Sequence, residues 1–362
     1  MKSKKLYKSF LPNVKFSFGQ LLFLSLLSIL LLFVINNFSS SEYREIYTEM
    51  IKASNRMKEA NQSVGKHRKV LNLEINRNLD PLQSGFIGTE FSPITTTLGD
   101  IEAKQISTNP DFAALFVLWF NQLELKKNEQ IVIHLSGSFP SLGIAAIVAA
   151  ESYGLKPLIL SSIGASSFGA NYPEMTYWDI ESFLYKEGII SHRTSYATLG
   201  GQNDNGSSFW EGGLEVGIKA AKRNNLKLNI FNHIDEAIES KLDFIINNDP
   251  FSLFINIGGN QCAIGNSPSN IFSAHGLIGS EEIKSFDVNS LLYIVTQMNI
   301  PIIHMLNIKD IALENGIDLI PNQNYKVGES DLYFVMTKPK MIIIAAILLL
   351  TIALITIKIR SN

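Results

Sequence analysis

Four short stretches of this chain are crowded with hydroxyls, amides and glycines. They are Ser136-Gly137-Ser138-Phe139-Pro140-Ser141, Ser161–Asn171, Leu199–Gly206 and Asn256–Gln261. Serine hydroxyls and Asn or Gln amides both donate and accept hydrogen bonds, and glycine leaves backbone N–H groups open to a ligand. Brought together, such groups suit a carboxylate, a phosphate or a peptide-like backbone. The candidate binding residues are therefore Ser136, Ser141, Ser166, Asn171, Gly200, Gly201, Asp204, Gly258 and Gly259. One such turn means little, because Gly, Ser and Asn are ordinary turn residues. Four of the same composition point to a shared cleft.

Ser138 is the sharpest candidate for covalent chemistry. It follows a β-branched run and precedes an Ala-rich segment, the place of a nucleophile elbow. The local sequence fails G-x-S-x-G at its first and last positions, and Pro140 suits a helix start better than a strained elbow. His304 could serve as base with Asp179 or Asp204 orienting it, although no spacing demands that trio. His134 sits inside a strand pattern and reads as a core residue. The six histidines are scattered without His-x-x-x-His or Cys-His spacing, so no metal is expected. Gly200–Gly206 has the flavour of a calcium loop but reads better as a solvated turn. With neither a Walker A sequence nor G-x-G-x-x-G, no cofactor is expected.

The elements that must hold these turns alternate in type. Apolar strands recur at Ile131–Leu135, Leu158–Ser161, Leu253–Ile257 and Ile302–Met305, with weaker ones at Thr194–Thr198, Lys227–Phe231 and Leu332–Val335. Helical patterns follow near Ser141–Tyr153, Tyr177–Lys186, Trp210–Arg223, Ile234–Ile246, Val288–Met298 and Ile308–Glu314. The alternation predicts an α/β fold, a mostly parallel sheet with helices on both faces. Ligands of such sheets collect where strands hand over to helices, so the four turns should open on one edge. Upstream, Phe86–Gly99 is too polar for a core strand, and Asp111–Leu123 reads as an amphipathic helix started by Asn109-Pro110.

Both ends are apolar. Phe16–Ser41 contains no charged residue and is long enough to cross a bilayer, and Met341–Ile357 gives 17 uncharged residues, at the short limit. Lys2, Lys4, Lys5, Lys8 and Lys15 before the first span place the N-terminus in the cytoplasm. Lys358 and Arg360 then return to it, which leaves the middle outside. The predicted organisation is a basic tail over 1–15, a span over 16–41, a helical stalk over 42–76, an extracytoplasmic α/β domain over 77–337, and a span with its tail over 338–362. Tyr43, Ile46, Met50, Ala53, Met57, Ala60 and Val64 form a heptad seam. It fits either a stalk pairing with a second copy through residues 43–64 or a helix lying on its own domain. The tails hold 9 of the 31 basic residues, so the middle has 22 basic against 33 acidic residues, a net of −11. That surface does not suit nucleic acid. Cys262 is the only cysteine, which excludes an intrachain disulfide.

Taken together, the sequence resembles the family called poly-gamma-glutamate system protein, encoded with bacterial poly-gamma-glutamate synthesis and export components. The resemblance rests on Ile87-Gly88, Ser92-Pro93, Thr95-Thr96-Thr97 and Gly99, then Ala103-Lys104, Asn109–Ala114, Ser136–Pro140 and Ser166 through Asn171. Trp178-Asp179, Gly200-Gly201 with Asp204, Asn256–Gly259 and Pro301–His304 extend it, so it covers roughly Gly85 to Gly328. It implies a membrane-tethered accessory protein at the bacterial cell surface, acting in capsule-like or released polymer production. Its partners would be the polymer and the membrane synthase and export proteins. It implies no known reaction and carries over no catalytic residue. A serine-type amidohydrolase or transpeptidase using Ser138, and a small-solute-binding domain, are the alternatives. An acidic domain would need a local positive patch to hold a polyanion, for which Lys104, Arg193 and the turn N–H groups are the candidates.

Overall fold

The computed structural model describes residues 16–38, 40–248, 250–266, 274–278, 287–319, 325–338 and 340–361. The basic tail 1–15 lies outside them. The chain forms two compact units, Met1–Arg44 with Phe334–Asn362, and Glu45–Tyr333.

In the first unit, the Ser17 side chain and Gln20 form a capping box that starts α1 (Phe18–Asn37). At 1.5 Å per residue its 20 residues reach ~30 Å, the thickness of a bilayer's hydrocarbon core. None of its residues is buried. By length and composition, α1 and α12 (Lys340–Ser361) could each cross a membrane. They pack on one another. β1 (Ser40–Tyr43) pairs antiparallel with β13 (Phe334–Thr337), with Ser40 opposite Thr337 and Tyr43 opposite Phe334. The rings of that last pair lie 4.8 Å apart. Since Ser40 follows α1 and Thr337 precedes α12, both helices leave the same end of this ribbon. The strand pattern at Leu332–Val335 is thus realised two residues later, outside the main sheet. Tyr43, placed in the heptad seam by its spacing, belongs to the ribbon and is 58% exposed.

In the second unit, β2 (Thr95–Thr97) pairs in parallel with β5 (Ala165–Ser166), and β6 (Asn171–Tyr172) pairs antiparallel with β7 (Met175–Thr176). The large sheet comprises β3 (Gln130–Ser136), β4 (Lys156–Ser162), β8 (Tyr196–Thr198), β9 (Leu228–Asn229), β10 (Phe251–Ile257), β11 (Gly276–Ile278) and β12 (Ile302–Met305). Its order is β11-β12-β10-β3-β4-β8-β9. All neighbours are parallel except β11 against β12. This is the mostly parallel sheet that the apolar runs predict.

One face is covered by α5 (Pro140–Tyr153), which packs on β3 and β4 and is itself covered by α2 (Tyr47–Val70) and α4 (Asp111–Gln122). Strand alternation sends Val132, Leu158, Phe254 and Ile302 to the other face, where they pack with Ile245 of α8 (Ile234–Ile246), Ala263 of α9 (Gln261–Ile264) and Val295 of α10 (Leu291–Gln297). α3 (Ile101–Ser107) packs on α11 (Ile308–Glu314) and α6 (Tyr177–Lys186) on α7 (Gly213–Arg223).

Two expectations change. The seam residues Met50, Ala53, Met57, Ala60 and Val64 are fully buried, because α2 lays them on α4 and α5. The seam is a core face of its own domain and not a free stalk, so a second copy cannot pair through it while this packing holds. α4 is not amphipathic either. Every residue from Asp111 to Phe120 is buried, since α4 is enclosed by its neighbours, and the Asp111 carboxylate accepts hydrogen bonds from Tyr325, Ser330 and Tyr333.

Candidate functional site

β3, β4, β8 and β10 run in parallel, so their C-terminal ends open on one edge, and the four polar turns meet there. They line a cleft of about 850 Å³, in the size range of small-ligand sites. Ser136 ends β3, with Ser138 and Phe139 in the turn after it, and Gly164 follows β4, with Ser166 on β5. Gly201 and Gln202 follow β8, and Gly259, Asn260 and Gln261 follow β10. The turns also brace one another. Gln261 Oε1 accepts the Asn203 N–H at 2.6 Å, and Asn260 Nδ2 donates to Ser162 Oγ at 3.3 Å.

One remaining wall is the segment Thr96–Asp100 with Ala103 and Lys104, and Ser208, Ile264, Gly265, Asn266 and Leu306 complete the lining. The polar stretch Phe86–Gly99 thus supplies β2 and one side of the cleft. Gly99 permits the close approach: a Cβ there would lie 2.4 Å from the Ser167 carbonyl oxygen and 3.2 Å from both Lys104 Cε and Ser166 Oγ.

Lys104 is the cation of the site. It is only 2% exposed, yet among the described residues it makes no ion pair. Its Nζ donates to the Ser138 carbonyl, lies 2.7 Å from Ser166 Oγ and sits 3.7 Å above the Phe139 ring. Burial pulls the ammonium down to about 7, with the Asp100 charge opposing the shift. Ser166 is fixed from the other side, as its N–H donates to Ser138 Oγ at 3.0 Å. A buried lysine with no ion-pair partner among the described residues, poised near neutrality in this cleft, is the mark of a functional group rather than of a solvated surface. The sequence offers Lys104 as a candidate for the positive patch, but its burial is not encoded in the local pattern.

Behind the cleft a second polar array crosses three strands at one register. Asn256 of β10 stands between His134 of β3 and His304 of β12. Lys241 Nζ lies 2.8 Å from Asp204 Oδ2 and 3.3 Å from His134 Nε2. The lysine can only donate, so His134 carries its proton on Nδ1 and donates to Asn256 Oδ1 at 2.9 Å. Asn256 Nδ2 in turn donates to His304 Nδ1 at 3.0 Å and to the Gly258 carbonyl at 2.8 Å. Burial lowers His134 to about 3 and His304 to about 4, so both rings are neutral. Burial works against the Lys241 charge, but Asp204 and Cys262 together outweigh it and raise that lysine. Burial pushes the Cys262 thiol beside this pair up to about 12.

The array settles where the candidate residues stand. Ser138, His304 and Asp179 do not form a triad. His304 Nδ1 accepts from Asn256, while Asp179 caps α6 and is gripped by Arg223 through Nε at 2.6 Å and Nη2 at 2.5 Å. Asn224 Nδ2 adds a third bond to Asp179 at 2.7 Å. Ser136, Ser166, Gly201 and Gly259 line the cleft. The other binding candidates support it. Ser141 pairs with Ser107 at 2.9 Å, and Asn171 ties Thr89 and Thr95 to the sheet edge. Asp204 is consumed by Lys241 and by the Thr198 hydroxyl at 3.1 Å. Gly200 and Gly258 turn the chain at φ 78° and 88°. Arg193 is not part of the patch; it donates to the Asn224 carbonyl at 2.9 Å and lines a separate concavity. Among the described residues no group of three or more His, Cys, Asp or Glu could hold a metal ion.

Compared with protein-family models, with curated proteins and with solved structures, the chain matches none.

Proposed function

We propose that the cleft holds a segment of an anionic, amide-linked polymer, and that the polymer is poly-gamma-glutamate. The α/β unit then stands outside the cytoplasm on its two membrane helices and serves the synthase and export proteins as an accessory factor. The observation that carries this reading is Lys104, a buried cation that makes no ion pair among the described residues, at the place where four turns present hydroxyls, amides and backbone N–H groups. A side-chain carboxylate supplies the missing counter-charge, and an amide backbone suits the surrounding donors and acceptors. The net charge of −11 between the tails repels a polyanion everywhere else, which favours threading one segment over coating the surface. The resemblance in Gly85–Gly328 supplies the identity of the polymer, and the positive flanks supply the orientation.

Calorimetric titration of the full-length protein in detergent micelles tests this reading. Poly-gamma-glutamate chains should bind, and free glutamate should bind at least ~10-fold more weakly, since one residue fills little of the cleft. Equal affinity for the free amino acid would favour a small-solute site. A reporter fused at residue 200 should be active only outside the cytoplasm; a cytoplasmic signal would overturn the orientation.

A further inference from the structure

We infer that Ser166 is a nucleophile and Lys104 its general base, so that the cleft cleaves or transfers an amide-linked chain as well as holding it. The geometry carries the assignment. A neutral lysine amine has two N–H groups and one lone pair. One N–H is directed at the Ser138 carbonyl, and the nitrogen lies 2.7 Å from Ser166 Oγ, within reach of the hydroxyl proton. The Ser166 backbone is held by its N–H bond to Ser138 Oγ, and Gly99 allows the adjoining wall to close on the pair without a side chain between them. The Phe139 ring under Nζ stabilises the ammonium that forms when the proton moves. Ser138, by contrast, offers Lys104 its carbonyl and uses its hydroxyl to accept a backbone N–H, so it positions the pair. Burial lowers Lys104 to about 7, which leaves much of it neutral at physiological pH.

The chemistry balances without a cofactor. Lys104 Nζ takes the Ser166 proton as Oγ bonds to an amide carbonyl carbon. The ammonium then protonates the leaving nitrogen as the C–N bond breaks, which leaves an ester on Ser166 and a free amine. Lys104, neutral again, deprotonates a water whose oxygen attacks the ester, and the Ser166 oxygen recovers the proton. An amine in place of water gives transfer instead of hydrolysis. That the amide joins glutamyl units rests on the proposed function; the identities of nucleophile and base do not.

The experiment is covalent labelling of the full-length protein in micelles with an alkyne-bearing β-lactone, mapped by peptide mass spectrometry. The expected result is one ester adduct, on Ser166, whose rate of formation rises with pH and is half-maximal near about 7. Ser166→Ala should lose the adduct, and Lys104→Met and Lys104→Arg should each slow it at least ~100-fold, with thermal unfolding by circular dichroism confirming that the variants fold. Absence of an adduct on the wild-type protein, an adduct on Ser138, or a folded Lys104→Met protein labelled at the wild-type rate would each overturn the assignment. Polymer binding without an adduct sinks the nucleophile and leaves the binding proposal standing. An adduct without polymer binding does the reverse.

Discussion

Lys104 Nζ lies 2.7 Å from Ser166 Oγ across 62 residues of sequence. The contact is made by a small parallel pairing outside the main sheet. β2 is bonded to β5, with Thr95 opposite Ala165 and Thr97 opposite Ser166, and α3 begins four residues after Thr97. The hydroxyl-rich wall and the lysine therefore arrive at the cleft together, beside the strand that carries Ser166.

The depressed titration of Lys104 has a consequence for stability. In the unfolded chain its amine titrates at the ordinary 10.5, and in the folded protein at about 7. Between those values the unfolded state binds more protons, so this group makes stability rise with pH, by at most about 1.4 kcal/mol per pH unit. Below 7 the amine is charged in both states and its destabilising effect is constant. Urea unfolding of wild-type and Lys104→Met proteins at pH 7, 8 and 9 should show the wild type gaining on the variant as pH rises. A constant difference would mean that Lys104 titrates normally.

The buried donor chain fixes two opposite tautomers. His134 should carry its proton on Nδ1 and His304 on Nε2, and both should stay neutral at pH 6, because burial lowers them to about 3 and about 4. Long-range ¹H–¹⁵N correlation spectra of histidine-labelled protein read this directly. Imidazolium signals from either ring at pH 6, or the same tautomer at both, would contradict the chain of bonds from Lys241 to His304.

The α2 seam predicts a loss of stability without a change of assembly. Met57 is fully buried against its own domain, so Met57→Ala should cost ~2–5 kcal/mol in chemical denaturation. Light scattering of the folded fraction should give the same mass as wild type. A change in oligomeric state at unchanged stability would restore the stalk as a pairing helix.

Much of this architecture is legible in the sequence. The apolar runs mark strands β3, β4, β10 and β12, and the Gly-, Ser- and Asn-rich turns after β3, β4, β8 and β10 mark the edge where the cleft forms. Less legible is what depends on pairings that local pattern does not encode. A heptad seam reads alike whether its partner is another chain or α4 and α5. Asp179, beside a tryptophan on a helix start, looks available until Arg223 and Asn224 are seen to hold it. His304 looks like a base until Asn256 at the same register occupies Nδ1. Lys104 becomes distinctive only through burial, which follows from the β2–β5 pairing.

The most direct test is the affinity of poly-gamma-glutamate for wild-type and Lys104→Met proteins, measured by calorimetry in micelles at pH 6 and pH 8. Lys104 is charged below about 7, and a bound carboxylate interacts with the charged form. The wild type should therefore bind more tightly at pH 6 than at pH 8, and Lys104→Met should bind at least ~10-fold more weakly at pH 6. A folded Lys104→Met protein with wild-type affinity and the wild-type pH dependence would contradict the claim that this lysine anchors the polymer.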